Sequence, residues 1–125
     1  MKKELRALLL AAGFGTRLRP ITNQIPKCLV DINGQSLLLN WLYKLEKIGC
    51  NEVLINTHYL SSQVVEVIKK WDQRRLRVKI SHEEILLGTA GTLRKNSKFF
   101  EDSLGLLIHT DNFTTLNLNQ FLKAH

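Results

Sequence analysis

The sequence predicts an α/β domain in three layers, a mostly parallel sheet with helices on both faces. Short β-rich apolar runs alternate along the chain with segments whose apolar residues recur at helical spacing, so the order is strand, helix, strand, helix. Helical crossovers between successive strands return the chain in the same direction, which makes the sheet parallel. At 125 residues and 44% hydrophobic content, the chain has the size of one domain and enough apolar side chains for its core.

Leu5 to Ala12 reads as a buried strand, and residues 13–27 as a long loop carrying Pro20 and Pro26. Leu29 to Ile32 leads into Asn33-Gly34, a favoured two-residue hairpin turn. Ser36 is the N-cap of a helix running to about Ile48, with Leu38, Leu42, Leu45 and Ile48 on one face and Gly49 ending it. A strand over Glu52 to Asn56 precedes a helix from Ser61 to Trp71 that turns Val64, Val65 and Ile68 inward. Leu76 to Ser81 is the next strand, Gly88 to Lys95 a short helix, and Leu104 to Ile108 a fourth buried strand. Leu118 to Ala124 supplies only the first turns of another helix, so the sequence reads as a truncated portion of a larger domain.

Composition narrows the function. No apolar run approaches the roughly 18 residues of a membrane span, which points to a soluble protein. Met1-Lys2-Lys3 and the apolar residues 7–12 imitate a signal peptide, but Glu4 and Arg6 interrupt it and the run falls short of the roughly 7 to 15 residues required. Cys28 and Cys50 lack a CxxC partner and read as reduced, buried thiols of a cytoplasmic protein. His58, His82, His109 and His125 lack zinc-ligand spacing, so a metal would be held by oxygen. The net charge of +7 has two readings. One is nucleic acid, drawn to the basic run Arg74, Arg75, Arg77 and Lys79 with Trp71 as a stacking residue; the other is an anionic small molecule.

In open α/β sheets, ligands bind beyond the carboxyl ends of the strands. Three stretches fall there: Gly13 to Lys27, Glu83 to Gly91, and His109 to Asn112. Gly13 and Gly15 allow backbone N–H groups to approach a phosphate. The loop is not a dinucleotide fingerprint, since Leu18 replaces the third glycine and no acid closes the second strand at Asn56-Thr57. It also lacks the GxxxxGK[ST] of a P-loop. Arg17 can fork two phosphate oxygens, Lys27 can act as a point charge, and Pro26 stiffens the approach to Lys27. Asp111, just beyond the strand in "LLIHTDN", is placed either to cap a turn or to hold Mg²⁺. With the cationic loop beside it, a metal-assisted phosphate site is the better account.

These residues carry a resemblance. "LLLAAGFGTRLRPIT" followed by "PKCLVDINGQSLL", and then "EVLINTHYL", "ISHEEILLGTAGTLR" and "LLIHTDNF", resembles the N-terminal portion of the sugar-1-phosphate nucleotidylyltransferases. The resemblance implies a Rossmann-like fold of the nucleotide-diphospho-sugar transferase type and transfer of NMP from an NTP to a sugar 1-phosphate, with release of pyrophosphate. Residues 1–125 would then be the nucleotide-binding portion of one domain, with the sugar-phosphate-binding remainder absent. It implies that backbone at Leu10, Ala11, Ala12 and Gly13 meets the base and ribose, and that Gly15, Thr16 and Arg17 meet the phosphates. Lys27 would contact the α-phosphate region, Gly88 and Thr89 would close over the nucleoside, and Asp111 would hold Mg²⁺. Arg17, Lys27 and Asp111 are thus the catalytic candidates, acting by positioning and charge compensation without a general base. Thr110 departs from the family, which often has Gly or Ala there. The "SHEE" and "LGTAG" pattern resembles guanylyltransferases acting on mannose or heptose 1-phosphate, with Glu83 or Glu84 accepting the N1–H and N2–H of guanine. The implied partners are an NTP and a sugar 1-phosphate, with neither nucleic acid nor membrane, and homo-oligomerisation stays open. Two alternatives stand beside this reading: a non-catalytic nucleotide-binding module of the same fold, and a basic nucleic-acid-binding domain.

Overall fold

The computed structural model describes residues 3–71 and 75–125. In chain order the elements are strands β1 (Glu4–Leu10), β2 (Asp31–Ile32) and β3 (Gln35–Ser36), helix α1 (Leu37–Lys47), strand β4 (Glu52–Thr57) and helix α2 (Ser61–Lys69). They continue with strand β5 (Arg77–His82), helix α3 (Gly88–Lys95), strand β6 (Ser103–His109) and helix α4 (Leu118–Ala124).

β1 lies inside the sheet because its apolar run has side chains to bury in both directions: Ala7, Leu8 and Leu9 are all inaccessible. It pairs in parallel with β4 on one side and β6 on the other, and β5 extends the sheet beyond β4, giving the order β5-β4-β1-β6. Strand alternation then sorts the layers. Leu5, Ala7 and Leu9 of β1, Val53 and Ile55 of β4 and Ile108 of β6 share one core with apolar residues of α1, α2 and α4. Leu8 and Leu54 point to the opposite face, where α3 and the following 3₁₀ turn at Ser97–Phe100 dock. There the Asn96 amide donates to the Ser81 hydroxyl at 3.2 Å, and Arg6 donates to the Phe99 carbonyl at 2.6 Å. Helices therefore cover both faces of a parallel sheet, as the alternation predicts.

The element boundaries shift for local reasons. α1 starts where the Ser36 hydroxyl accepts the Leu39 N–H at 3.2 Å, and it buries Leu38, Trp41, Leu42 and Leu45. Asn33 and Gly34 both take positive φ, 54° and 85°, the geometry the β2–β3 hairpin turn requires. In α2 the inward face is Val64 and Ile68 with Val67 against the core, while Val65 is only half-buried. The helix ends at Lys69, two residues before Trp71.

The basic run is partly consumed within the fold. Lys79 lies 2.9 Å from the buried Glu52 carboxylate, and Arg77 is 3.9 Å from it. Trp71 is buried and packs edge-on against Tyr43, with ring centroids 4.9 Å apart, so it offers no stacking platform. Arg74 lies outside the described residues. No helix among the described residues is long and apolar enough to cross a membrane.

Candidate functional site

The carboxyl ends of β1, β4 and β6 and the loop leaving β5 enclose a cavity of about 340 Å³. All three strand-end stretches singled out in the sequence contribute to it. Leu10, Ala11, Ala12, Gly13 and Gly15 form one wall, Lys27 the next, Glu83, Gly88 and Thr89 another, and Asp111 the last. Thr16 and Arg17 are not part of the lining. They sit on the 3₁₀ turn Thr16–Leu18, exposed, just beyond Gly15.

The glycine loop is pinned from behind. Gly15 has φ +65°, and a Cβ there would lie 2.8 Å from Thr22 Cγ2 and 3.2 Å from Lys27 Cβ. The closeness has a purpose: the Thr22 hydroxyl donates to the Gly15 carbonyl at 2.5 Å, and the Tyr59 hydroxyl donates to the Thr22 carbonyl at 2.7 Å. Residues 13–27 are thus a chain of 3₁₀ turns at Thr16–Leu18, Ile21–Asn23 and Lys27–Leu29, not an open loop. Phe14 meets the rings of His58 and Tyr59 at 5.3 and 5.5 Å.

Across the cavity, Lys27 Nζ lies 2.8 Å from Asp111 Oδ2. That hydrogen bond holds the Asp111 carboxyl below the usual carboxylate range, against the partial burial that would raise it. The turn bearing Asp111 is fixed by α1: the Trp41 indole N–H donates to the Asn112 carbonyl at 2.9 Å, and Lys44 Nζ donates to the Thr114 carbonyl. Next to Asp111, the Thr110 hydroxyl is buried in the lining with no hydrogen-bond partner among the described residues. Cys28 also lines the cavity, and burial pushes its thiol up to about 12, so it presents a neutral apolar surface.

Glu83, one of the two carboxylates expected from sequence to accept from guanine, lines the cavity but is held within the protein. It is 2% exposed, and its oxygens accept from protein groups: Leu87 N–H at 3.1 Å, the Thr92 hydroxyl at 2.5 Å and the Asn56 amide at 3.2 Å. Asn56 turns its own oxygen to the Ala11 N–H at 2.6 Å. Glu84 is exposed.

One comparison bears on the whole arrangement: the profile described as nucleotidyl transferase matches residues 6–125. The chain belongs to the nucleotidyl transferase family. Among curated members of this family it is 41% identical over 90 residues to the mannose-1-phosphate guanylyltransferase catalytic subunit beta of Xenopus tropicalis, covering 71% of this chain and 25% of that protein. It is 32% identical over 127 residues to the mannose-1-phosphate guanyltransferase of Aspergillus fumigatus, covering 97% of this chain and 35% of that one. The chain therefore spans a quarter to about a third of the length of these relatives. The crystal structure of HddC from Yersinia pseudotuberculosis complexed with GMP-PN superposes with a TM-score of 0.81 at 28% identity, covering 95% of this chain and 53% of that one. An apo UDP-glucose pyrophosphorylase, 18% identical, superposes at 0.78 over 99% of this chain and 54% of its own, a likeness of fold alone.

The strand-end stretches singled out in the sequence leave out Asn56 and Cys28, which belong to the wall, while Leu86, His109 and Thr110 fall inside them. Asn56 stands near the end of β4, a strand terminus set aside for want of an acid. The strand-end rule applied evenly to all four strands finds it.

Proposed function

We propose that this nucleotidyl transferase chain forms the nucleotide-binding portion, residues 1–125, of a cytoplasmic enzyme that transfers NMP from an NTP to a sugar 1-phosphate and releases pyrophosphate. The observation that carries this reading is the single cavity bounded by the glycine loop, Lys27, Gly88-Thr89 and Asp111. Backbone from Leu10 to Gly13 and at Gly88-Thr89 encloses the nucleoside, and Gly15 with Lys27 faces the phosphates. GTP is the favoured nucleotide: curated relatives are named as mannose-1-phosphate guanylyltransferases.

A sugar phosphate is already an anion near neutral pH, so the reaction needs alignment and relief of anion–anion repulsion in place of a general base. Lys27, paired with Asp111 in the nucleotide-free structure, supplies its positive charge to the phosphates when that carboxylate turns to a metal ion. Arg17, exposed on the adjoining turn, lies in the same segment just outside the lining. Among the described residues no cluster of three His, Cys, Asp or Glu side chains surrounds Asp111. One carboxylate suits Mg²⁺, whose shell is completed by phosphate oxygens and water. Asp111 would hold the ion there, and the ion would supply further charge neutralisation at the phosphates.

The test is a pyrophosphate-release screen of the four NTPs against sugar 1-phosphates with Mg²⁺, run on this chain and on a version extended through its reading frame, with NTP binding measured in parallel by calorimetry. Pyrophosphate release with GTP and a hexose or heptose 1-phosphate is expected from the extended protein. NTP binding with no release from any pair would favour the non-catalytic module, and failure to bind any NTP would remove both readings.

A further inference from the structure

Three buried polar side chains and the two backbone amides they hold form a bridge between the two cavity walls that face the nucleoside. β1 stops pairing with β4 at Leu10, opposite Asn56. The next amide, Ala11 N–H, is taken instead by the Asn56 side-chain oxygen at 2.6 Å. Because that oxygen must accept, the Asn56 NH₂ points the other way, to Glu83 Oε2 at 3.2 Å and Thr92 Oγ1 at 3.3 Å. The Thr92 hydroxyl donates to the same carboxylate oxygen at 2.5 Å, and the other oxygen accepts Leu87 N–H at 3.1 Å. Leu87 directly precedes Gly88 and Thr89, and it stands at the start of α3 with no side-chain cap of its own. Asn56, Glu83 and Thr92 are 4%, 2% and 0% exposed, so a donor or acceptor lost here has no water to replace it.

We propose that Glu83 and Asn56 are positioning residues that lock the Ala11–Gly13 backbone and the Leu87–Thr89 backbone into one rigid nucleotide-facing frame. The proposal rests on the functional reading above. It assigns Glu83 a role other than reading the base: its carboxylate is spent on protein donors, and it acts on the nucleotide through the backbone it holds. Every nucleoside triphosphate then depends on the frame equally, and base preference comes from groups elsewhere on the wall.

The full chain carrying Glu83→Gln or Asn56→Ala tests this. Glutamine keeps the shape of Glu83 but places an NH₂ among its three donors, and alanine leaves Ala11 N–H unpartnered. Thr92→Val, which removes one donor at constant shape, serves where either variant fails to fold. GTP, ITP and ATP are titrated by calorimetry with Mg²⁺, and amide hydrogen exchange is followed in the nucleotide-free protein. The expected result is a loss of affinity of about tenfold or more, the same for the three nucleotides within twofold, with exchange accelerating at residues 11–13 and 87–89 together. Loss confined to GTP, or to GTP and ITP with ATP spared, would overturn the proposal, making Glu83 a direct reader of the purine's N1–H and N2–H edge. Exchange that accelerates in one segment alone, or in neither, would also overturn it. A wild-type chain that binds none of the nucleotides defeats the functional reading, and the exchange experiment still decides whether the frame exists.

Discussion

Lys27 and Asp111, 84 positions apart in the chain, meet at 2.8 Å across the cavity. The meeting follows from topology: β6 pairs directly with β1, so the turn after β6 faces the glycine-containing turns after β1. The carboxylate and the ammonium thus compensate each other in the cavity lining.

The pair has a pH signature. Lys27 lowers the Asp111 pKa in the folded chain, so the folded state binds this proton less readily than the unfolded state. The stabilisation is therefore present at and above the usual carboxylate range and disappears as pH falls through the lowered midpoint. Asp111 is 39% exposed at its side chain, so solvent screening limits the effect to less than about 1 kcal/mol. Carboxyl-carbon NMR titration should place Asp111 below an ordinary aspartate, and Lys27→Met should bring it back up while flattening the acid limb of urea-melt stability.

The two glycines of the loop should respond differently to alanine. Gly15→Ala sets a Cβ 2.8 Å from Thr22 at a positive φ, and chemical denaturation should show a loss of about 1–3 kcal/mol. At Gly13 a Cβ has nothing within 4 Å, so Gly13→Ala should leave the melt nearly unchanged. Since Gly13 lines the cavity, its alanine variant should instead weaken nucleotide binding, read by calorimetry.

Thr110 offers a separation of stability from binding. Its unpartnered buried hydroxyl opposes folding, so Thr110→Val should stabilise the nucleotide-free chain by about 1 kcal/mol, a rise of a few degrees in melting temperature. The same variant should gain as much from added GTP and Mg²⁺ as wild type does, because the buried hydroxyl is closed off from a ligand. Differential scanning calorimetry with and without the nucleotide measures both effects.

What the sequence alone determined is the part governed by local pattern. The spacing of Leu38, Leu42 and Leu45 marks a helix, Asn33-Gly34 marks a hairpin, and a glycine loop followed by Pro26-Lys27 marks a tightly turned segment at a strand end, because periodicity and φ preference act within a few residues. Asp111 was legible for the same reason, as an acid just past an apolar strand. Tertiary structure decided where the strand-end groups point and whom they meet. Parallel register puts Asn56 opposite Leu10 and turns its amide to Glu83, so a carboxylate that reads from sequence as a nucleotide contact is buried among three protein donors. Arg17 follows Gly15 by two positions, yet the 3₁₀ turn carries it off the cavity wall. Such outcomes depend on contacts between residues tens of positions apart, and only the packed sheet sets them.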